Sequence, residues 1–452
     1  MQETQRRTTL TPTVFEKGRH PLNKEDIDVD ALFVLNRLNK AGFSSYLVGG
    51  GVRDIYLGKV PKDFDISTNA RPGQVRHLFP RSAIIGRRFR LVEVFFRGGK
   101  IIQVSTLRSL SEHDIDSPDS VLAPNNTFGT LEEDAQRRDL TINSLFYDVR
   151  DETVIDYVGG VEDLKNRLIR LVGDPERRLH TDPVRALRAI RHAARSGFTI
   201  EEKTWQAILK HRQELSLCPP TRIRDEILKD LRGGQAAGWL ELCLQAEVFA
   251  VIFPLYRDIE INAPITDQLI ALLRLLDRLC RSGKTPKTES FLFALPVIPY
   301  AEIKYRFFSE KRPSAALYQI GKALRADLDR ELAQPLNMAR VVRQEMAALL
   351  TQTANLLHQR TVRGWPKWLR EKSYFAEAAF LCKLYLEAMG EEMAEETMKW
   401  PEIPEALATP VEKPEPAKAI RPLAAPESGK ENRLPRPASA SDRPGGIFGL
   451  RK

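Results

Sequence analysis

The stretch "SYLVGGGVRDIYLGKVPKDFDIST", Ser45 to Thr68, constrains the fold of this chain more than any other. An apolar run of strand type ends in three glycines. A short helical run follows and stops at Gly58, and "FDIST" reads as a second strand. Side chains alternate along a strand, so Asp63 and Asp65 share one face and Phe64 takes the other. Two carboxylates that close repel each other, and a hard divalent cation removes the conflict. Gly49, Gly50 and Gly51 let backbone N–H groups come close to a phosphate. Arg53, on the first turn of the following helix, can clamp a phosphate oxygen. Taken together, the stretch reads as a triphosphate held over a metal-binding strand. Three glycines can also be a plain turn, and D-x-D a solvated edge, but neither accounts for both features at this spacing. No Walker A pattern, G-x-x-x-x-G-K-[ST], occurs.

Around this stretch the first 170 or so residues read as α+β. Residues 1–25 are polar and are expected to be a flexible N-terminus. "DALFVLNRLNKAGF" has helical apolar spacing, "PGQVRHLF" a proline near its start, and "RLVEVFFRGGKIIQVSTLR" the pattern of a hairpin turning at Gly98-Gly99. The segment from Ser109 to Gly129 has no periodicity and is expected to be a mobile loop. From Asp174 onward nearly everything is helical, with no fixed repeat period. After about Trp400 the composition changes: ten of the 29 prolines fall in the last 52 residues, the signature of a disordered tail. From Lys413 on, nine basic residues face four acidic ones.

The chain has 452 residues, a formal charge of +9 and a pI near 9.3, which tilts the partner toward a polyanion. Cys218, Cys243, Cys280 and Cys382 have no CxxC spacing and read as reduced, buried thiols of a cytoplasmic protein. The N-terminus shows no apolar core of signal-peptide length. The longest apolar run, "FLFALPVIPYA", is too short for a membrane span and holds two prolines.

"LVGGGVRD", "PKDFDIST", "EEDAQRRDLTINSLFYD" and "DPVRALRAIRHAARSGF", in that order, resemble the successive motifs of the class II nucleotidyltransferases. That family holds bacterial poly(A) polymerases and tRNA CCA-adding enzymes. The resemblance covers about residues 25–240 and continues more weakly to about 400. It implies a polymerase-β-like α+β nucleotidyltransferase head (26–157), an all-α neck (158–235) and body (236–400), and a basic, Pro-rich tail (401–452). "IIGRRFRLVEVFF" and "NKAGF" resemble the poly(A) polymerase branch, and no HD-type metal motif occurs in the helical half.

The resemblance assigns roles residue by residue. Asp63 and Asp65 would hold the catalytic metals, two Mg²⁺ ions. Gly49, Gly50, Arg53 and Arg138 would bind the nucleotide triphosphate, and Asp139 would complete the catalytic site. Asp182, Arg185, Arg188 and Arg191 would face the incoming nucleotide from one helix, selecting A and C without a template. Spacing of three keeps such side chains on neighbouring faces, drifting about 60° per step. Asp182 before Pro183 has the form of an N-cap followed by proline at the first helical position. A solvated arginine face would show the same spacing. The implied activity is AMP transfer from ATP to RNA 3′ ends, in RNA processing and decay. Addition of CCA to tRNA and a catalytically impaired RNA-binding protein are the alternatives. Protein partners are not indicated.

Two positions depart from the family pattern. Relatives usually carry a third carboxylate where "IIQVST" has Gln103, and poly(A) polymerases more often carry histidine where Glu93 stands. If those strands pair, Glu93 can supply the missing charge; it can equally face solvent or pair with Arg90 or Arg108. "TRIRDEILKDL" (221–231) is expected to shape the base pocket or RNA path. Trp239, Trp365 and Trp368 read as core or interface residues before RNA-stacking platforms, and His180 and His192 as structural.

Overall fold

Asp28 starts the first helix, α1 (Val29–Lys40): its carboxylate accepts from the N–H groups of Asp30 and Ala31. Ala31, Val34, Leu35 and Leu38 then recur at helical spacing and are fully buried. Each large side chain hidden this way contributes on the order of 2 kcal/mol. The surface these residues pack on is a sheet. The computed structural model describes residues 10–86, 90–109, 128–286, 288–360 and 365–391. The expected loop between 110 and 127 and the tail lie outside them, as do Arg87, Arg88 and Phe89 of the "RRFR" run.

Among the described residues the strands are β1 (Thr13–Phe15), β2 (Ser45–Val48), β3 (Asp65–Thr68), β4 (Ser82–Ile85), β5 (Leu91–Phe95), β6 (Ile101–Thr106), β7 (Leu145–Asp148), β8 (Thr153–Asp156), β9 (Leu168–Ile169) and β10 (Thr199–Ile200). The first eight form one sheet in the order β1-β8-β7-β2-β3-β6-β5-β4. β3 and β6 run parallel and the other pairs antiparallel. β5 and β6 form the expected hairpin; Gly98 and Gly99 turn it at φ 74° and 78°, where a side chain would be strained. The other head helices are α2 (Gly50–Tyr56), α3 (Pro72–Leu78), α4 (Leu131–Arg137) and α5 (Gly160–Lys165).

Two expectations change here. The N-terminal segment is not loose over its described part: β1 extends the sheet edge on β8, and His20 is buried with Nε2 on the Glu152 carbonyl. Too few apolar residues mark β1, because an edge strand is held by its backbone. The neck is not wholly helical either. β9 and β10 pair in parallel, a contact between residues too distant in sequence to leave a local pattern.

The neck helices are α6 (Pro175–Thr181), α7 (Val184–Ser196), α8 (Glu202–His211) and α9 (Pro220–Leu231). The body adds α10 (Ala236–Gln245), α11 (Phe249–Ile252), α12 (Ala263–Arg281), α13 (Glu289–Tyr305), α14 (Ser314–Glu331), α15 (Arg340–Gln359), α16 (Lys367–Arg370) and α17 (Phe375–Ala388). Head, neck and described body fall in one compact unit. The apolar run "FLFALPVIPYA" is the buried centre of α13 despite Pro296 and Pro299. The Tyr256 hydroxyl repairs the ladder there: it donates to the Pro296 carbonyl at 2.6 Å and accepts from the Tyr300 N–H at 3.2 Å, standing in for a direct bond between them. No described helix is long and apolar enough to cross a membrane. The four cysteines are free; Cys218, Cys243 and Cys382 are buried and Cys280 half-buried. Trp239 and Trp365 are core residues, while Trp368 is half exposed.

Candidate active site

β2 delivers the chain to Gly49, whose φ of 70° and ψ of −134° only glycine adopts readily. That turn starts α2. A Cβ on Gly49 would sit 3.5 Å from Arg138, and one on Gly50 3.5 Å from Arg53, ordinary contact distances, so both guanidiniums lie close beside this backbone. Arg53 is held by Asp54 (Nε to Oδ1, 2.9 Å) and by the Asn143 side chain (Nη1 to Oδ1, 2.7 Å). Arg138 donates to the buried Asp134 carboxylate and to the Ser67 hydroxyl at 3.2 Å, and lies over the Phe146 ring. Burial alone would raise the Asp134 pKa, but Arg138 and Arg137 hold it below the usual range.

Asp65 opens β3, and Asp63 lies in the lead-in two residues earlier rather than on the strand itself. Asp63 is exposed and Asp65 half-buried. Neither accepts a hydrogen bond from the described residues. Burial pushes the Asp65 carboxyl up, Arg138 opposes this, and the charge of Asp63 adds to the rise. A strained carboxylate pair of this kind, without protein donors, fits a divalent cation.

Both aspartates line a cavity of about 940 Å³ between the head, the neck and the start of the body. Gly50, Gly51 and Arg53 share the head side. Seven cations line it: Arg53, Lys59, Lys62, Arg195, Lys229, Arg232 and Arg281. The carboxylates are Asp54, Asp63, Asp65 and Asp225, so the wall is net positive. Of these cations only Arg53 stood out in the sequence. The rest sit near glycine and helix ends that only the fold brings together, although Arg195 does continue the α7 arginine series.

The α7 series itself splits, because each step of three turns the side chain about 60°. Arg185 donates to the Arg138 carbonyl at 3.3 Å and lies 3.7 Å from Asp182. Arg188 pairs with Asp139. Burial opposes ionisation of Asp139, but the Arg188 guanidinium, with Arg185 adding to it, holds its carboxyl far below the usual range. Arg178 of α6 also donates to the Arg137 and Arg138 carbonyls, so the neck grips the Arg138-Asp139 corner of the head. By Arg191 the series has turned onto α9: this buried guanidinium meets Asp230 and Glu226. Its surroundings are protein and not the cavity.

Asp182 does not cap α7. It is the C-cap of α6, Pro183 takes the N-cap position, and the Asp182 carboxylate meets Arg222 of α9 at 3.0 Å. Gly49, Arg138, Asp139, Asp182, Arg185, Arg188 and Arg191 are not among the residues that line the cavity.

His192 does line it. Its Nδ1 lies 3.3 Å from Arg53 Nη1 and its Nε2 3.3 Å from Asn143 Nδ2, two donors. A neutral ring offers one lone-pair nitrogen, so it accepts from one and merely abuts the other. Burial, with Arg53 adding to it, lowers this imidazole to about 3. An unfolded histidine protonates near 6.5, so the stability this neutral ring carries is lost as pH falls below that value. His192→Phe is expected to remove up to about one proton from the pH dependence of unfolding between pH 4 and 7. Urea melts across that range would measure it; an unchanged slope would show that His192 titrates normally.

The register sets the third position. Asp65 pairs with Gln103, and Gln103 pairs with Glu93, so the three stand in a row on one sheet face. Glu93 is half-buried and has no ion-pair partner among the described residues; Arg108, buried, is not one.

Residues 45–170 match a family model described as the poly A polymerase head domain. Residues 197–259 match one described as the "probable RNA and SrmB-binding site of polymerase A". Poly(A) polymerase I of Escherichia coli O6:H1 is 47% identical over 249 residues, 54% of this chain and 53% of that protein. A CCA-adding enzyme of Lactobacillus johnsonii is 36% identical over 281 residues, 61% and 65% of the two chains. The chain spans about half the length of the poly(A) polymerases it matches. Among solved structures, the Bacillus stearothermophilus CCA-adding enzyme in complex with CTP superposes with a TM-score of 0.57 at 26% identity, over 80% of this chain and 78% of that one.

Proposed function

Because the chain belongs to the nucleotidyltransferase family of bacterial poly(A) polymerases and CCA-adding enzymes, we propose that it is a polynucleotide adenylyltransferase. It adds AMP from ATP to RNA 3′ ends without a template, and acts in the cytoplasm in RNA processing and decay. One observation carries the reading: the Asp63–Asp65 pair, which accepts no hydrogen bond from the described residues, faces a cavity whose wall is otherwise dominated by cations.

In the reaction, the RNA 3′-oxygen forms a bond to the α-phosphorus of ATP, and the bond to the pyrophosphate oxygen breaks in line. Asp63 and Asp65 would hold Mg²⁺, which when bound lowers the pKa of the 3′-hydroxyl and neutralises the leaving pyrophosphate. Arg53 and Arg138, lying against the Gly49-Gly50 backbone, hold the triphosphate. Binding gives Arg53 an anion in place of its crowded contact with His192. Arg195, Lys229, Arg232 and Arg281 supply the cationic wall along which an RNA backbone can run. Asp182, Arg185 and Arg188 act by fixing the Arg138-Asp139 corner.

The test is purified protein with labelled RNA, Mg²⁺ and each nucleoside triphosphate offered singly. ATP alone should extend the RNA by many residues. Growth that needs CTP and then ATP, and stops after CCA on a trimmed tRNA, would assign the chain to the CCA-adding branch. RNA binding with no incorporation would make it an impaired relative.

Glu93 supplies the carboxylate that Gln103 lacks. At strand spacings of about 4.8 Å it stands two strands from Asp65, and a metal cluster with its waters can span that gap. Glu93→Gln should raise the Mg²⁺ concentration for half-maximal rate severalfold, and adding Gln103→Glu should restore it. A wild-type Mg²⁺ profile for Glu93→Gln would remove Glu93 from the site.

A further inference from the structure

His180 and His211 have no place in the nucleotide site, yet the fold brings them together. His180 lies in the last turn of α6, and His211 ends α8. Glu214, three residues on in the 3-10 turn Arg212–Leu217, falls on the same side as His211. Its two oxygens meet one imidazole each: Oε2 is 3.2 Å from His180 Nδ1, and Oε1 is 2.8 Å from His211 Nδ1. The ring centroids are 6.0 Å apart. The ligating atoms of all three residues lie within 4.8 Å of one another, the one such group of histidine, cysteine and carboxylate donors among the described residues. None of the three lines the cavity that holds Asp63 and Asp65.

We propose that His180, His211 and Glu214 form a zinc site. Two imidazoles and one carboxylate are a donor set that zinc takes readily in tetrahedral geometry, with the fourth position left to water. Tetrahedral ligands about 2.1 Å from zinc stand roughly 3.4 Å apart, so the donors have little more than an ångström to close. α6 and α8 already pack together, and side-chain rotation suffices. Without the ion, Glu214 bridges the imidazoles by hydrogen bonds and keeps the donors gathered. The site separates from the aspartate pair by chemistry: imidazole selects zinc, whereas carboxylates alone suit magnesium. The ion would clip the end of α6 to the α8 corner. That end carries Asp182, whose carboxylate is held by Arg222, so zinc would stiffen the neck there.

The test uses untagged, chelator-treated protein in millimolar Mg²⁺, titrated with Zn²⁺ by calorimetry and with Co²⁺ by visible absorbance. Wild type should bind one equivalent that excess Mg²⁺ does not displace. His180→Ala/His211→Ala should lose that equivalent or bind more than about tenfold more weakly. His180→Gln, at an exposed position that can be changed without unfolding the neck, should show the same weakening. Zn²⁺ should raise the melting temperature of wild type and leave both variants unmoved. Absence of a stoichiometric equivalent in wild type, or an equal one in the variants, would overturn the proposal and leave Glu214 as a hydrogen-bonded bridge.

Discussion

Asp63→Ala and Asp65→Ala should each reduce nucleotide incorporation about a thousandfold while the protein stays folded and keeps its RNA affinity. Losing one side of a metal clamp removes on the order of 4 kcal/mol of transition-state stabilisation. Folding should survive because neither carboxylate accepts a hydrogen bond from the described residues, so truncation orphans no donor. Asp65 goes further. Burial raises its pKa, against Arg138, and the charge of Asp63 adds to the rise, so ionising it costs more in the folded state than in the unfolded one. A raised carboxyl stabilises only below its unfolded pKa, and this contribution is lost as pH rises through the folded value. Asp65→Asn should therefore unfold at an equal or higher urea concentration than wild type at pH 7.5. Incorporation assays with Mg²⁺, run beside urea melts, read both effects. More than a few per cent of residual activity in either alanine variant would move the metal site elsewhere.

Arg191→Met should be the most damaging single change to stability, about 3–5 kcal/mol, with little change in the apparent affinity for ATP in the protein that remains folded. Arg191 is 4% exposed, and its guanidinium answers two buried carboxylates, Glu226 and Asp230. Removing it leaves both without their counter-ion. Asp230 is already pushed up to about 6 by burial, against the bonds from Arg191, and without Arg191 it rises further. The deficit should therefore shrink as pH falls toward 5, where the orphaned carboxyls take up protons. Adding Glu226→Gln and Asp230→Asn should recover much of the loss at pH 7.5. Calorimetric melts at several pH values and ATP saturation curves separate this from a nucleotide role. A variant of wild-type stability whose ATP requirement rose tenfold would return Arg191 to the nucleotide.

The contrast between these two sites shows how far one chain's sequence reaches. Asp63, Asp65, the Gly49 turn and Arg53 were legible because strand, turn and helix follow one another within a few residues, and local geometry fixes which side chains share a face. The β5–β6 hairpin was legible for the same reason. The arginines of α7 were legible as a series but not in their separate tasks. Periodicity gives a direction around a helix axis, and what stands in that direction is set by other elements: the Arg138 carbonyl for Arg185, Asp139 for Arg188, and α9 for Arg191. Asp182 carried a capping signature, yet the competing charge of Arg222, brought by α9, takes its carboxylate.

By itself the sequence determined the α+β head, the helical remainder and the closeness of Asp63, Asp65, the glycine turn and Arg53, because these rest on contacts a few residues long. Only the tertiary structure decided the rest. It set the parallel pairing of β3 with β6 that puts Asp65, Gln103 and Glu93 in one row, the cationic wall drawn from Lys59 to Arg281, and the meeting of His180 with His211 and Glu214. Such contacts are selected by how whole elements pack to bury apolar surface, and the polar side chains that meet across them leave no periodic trace in the chain.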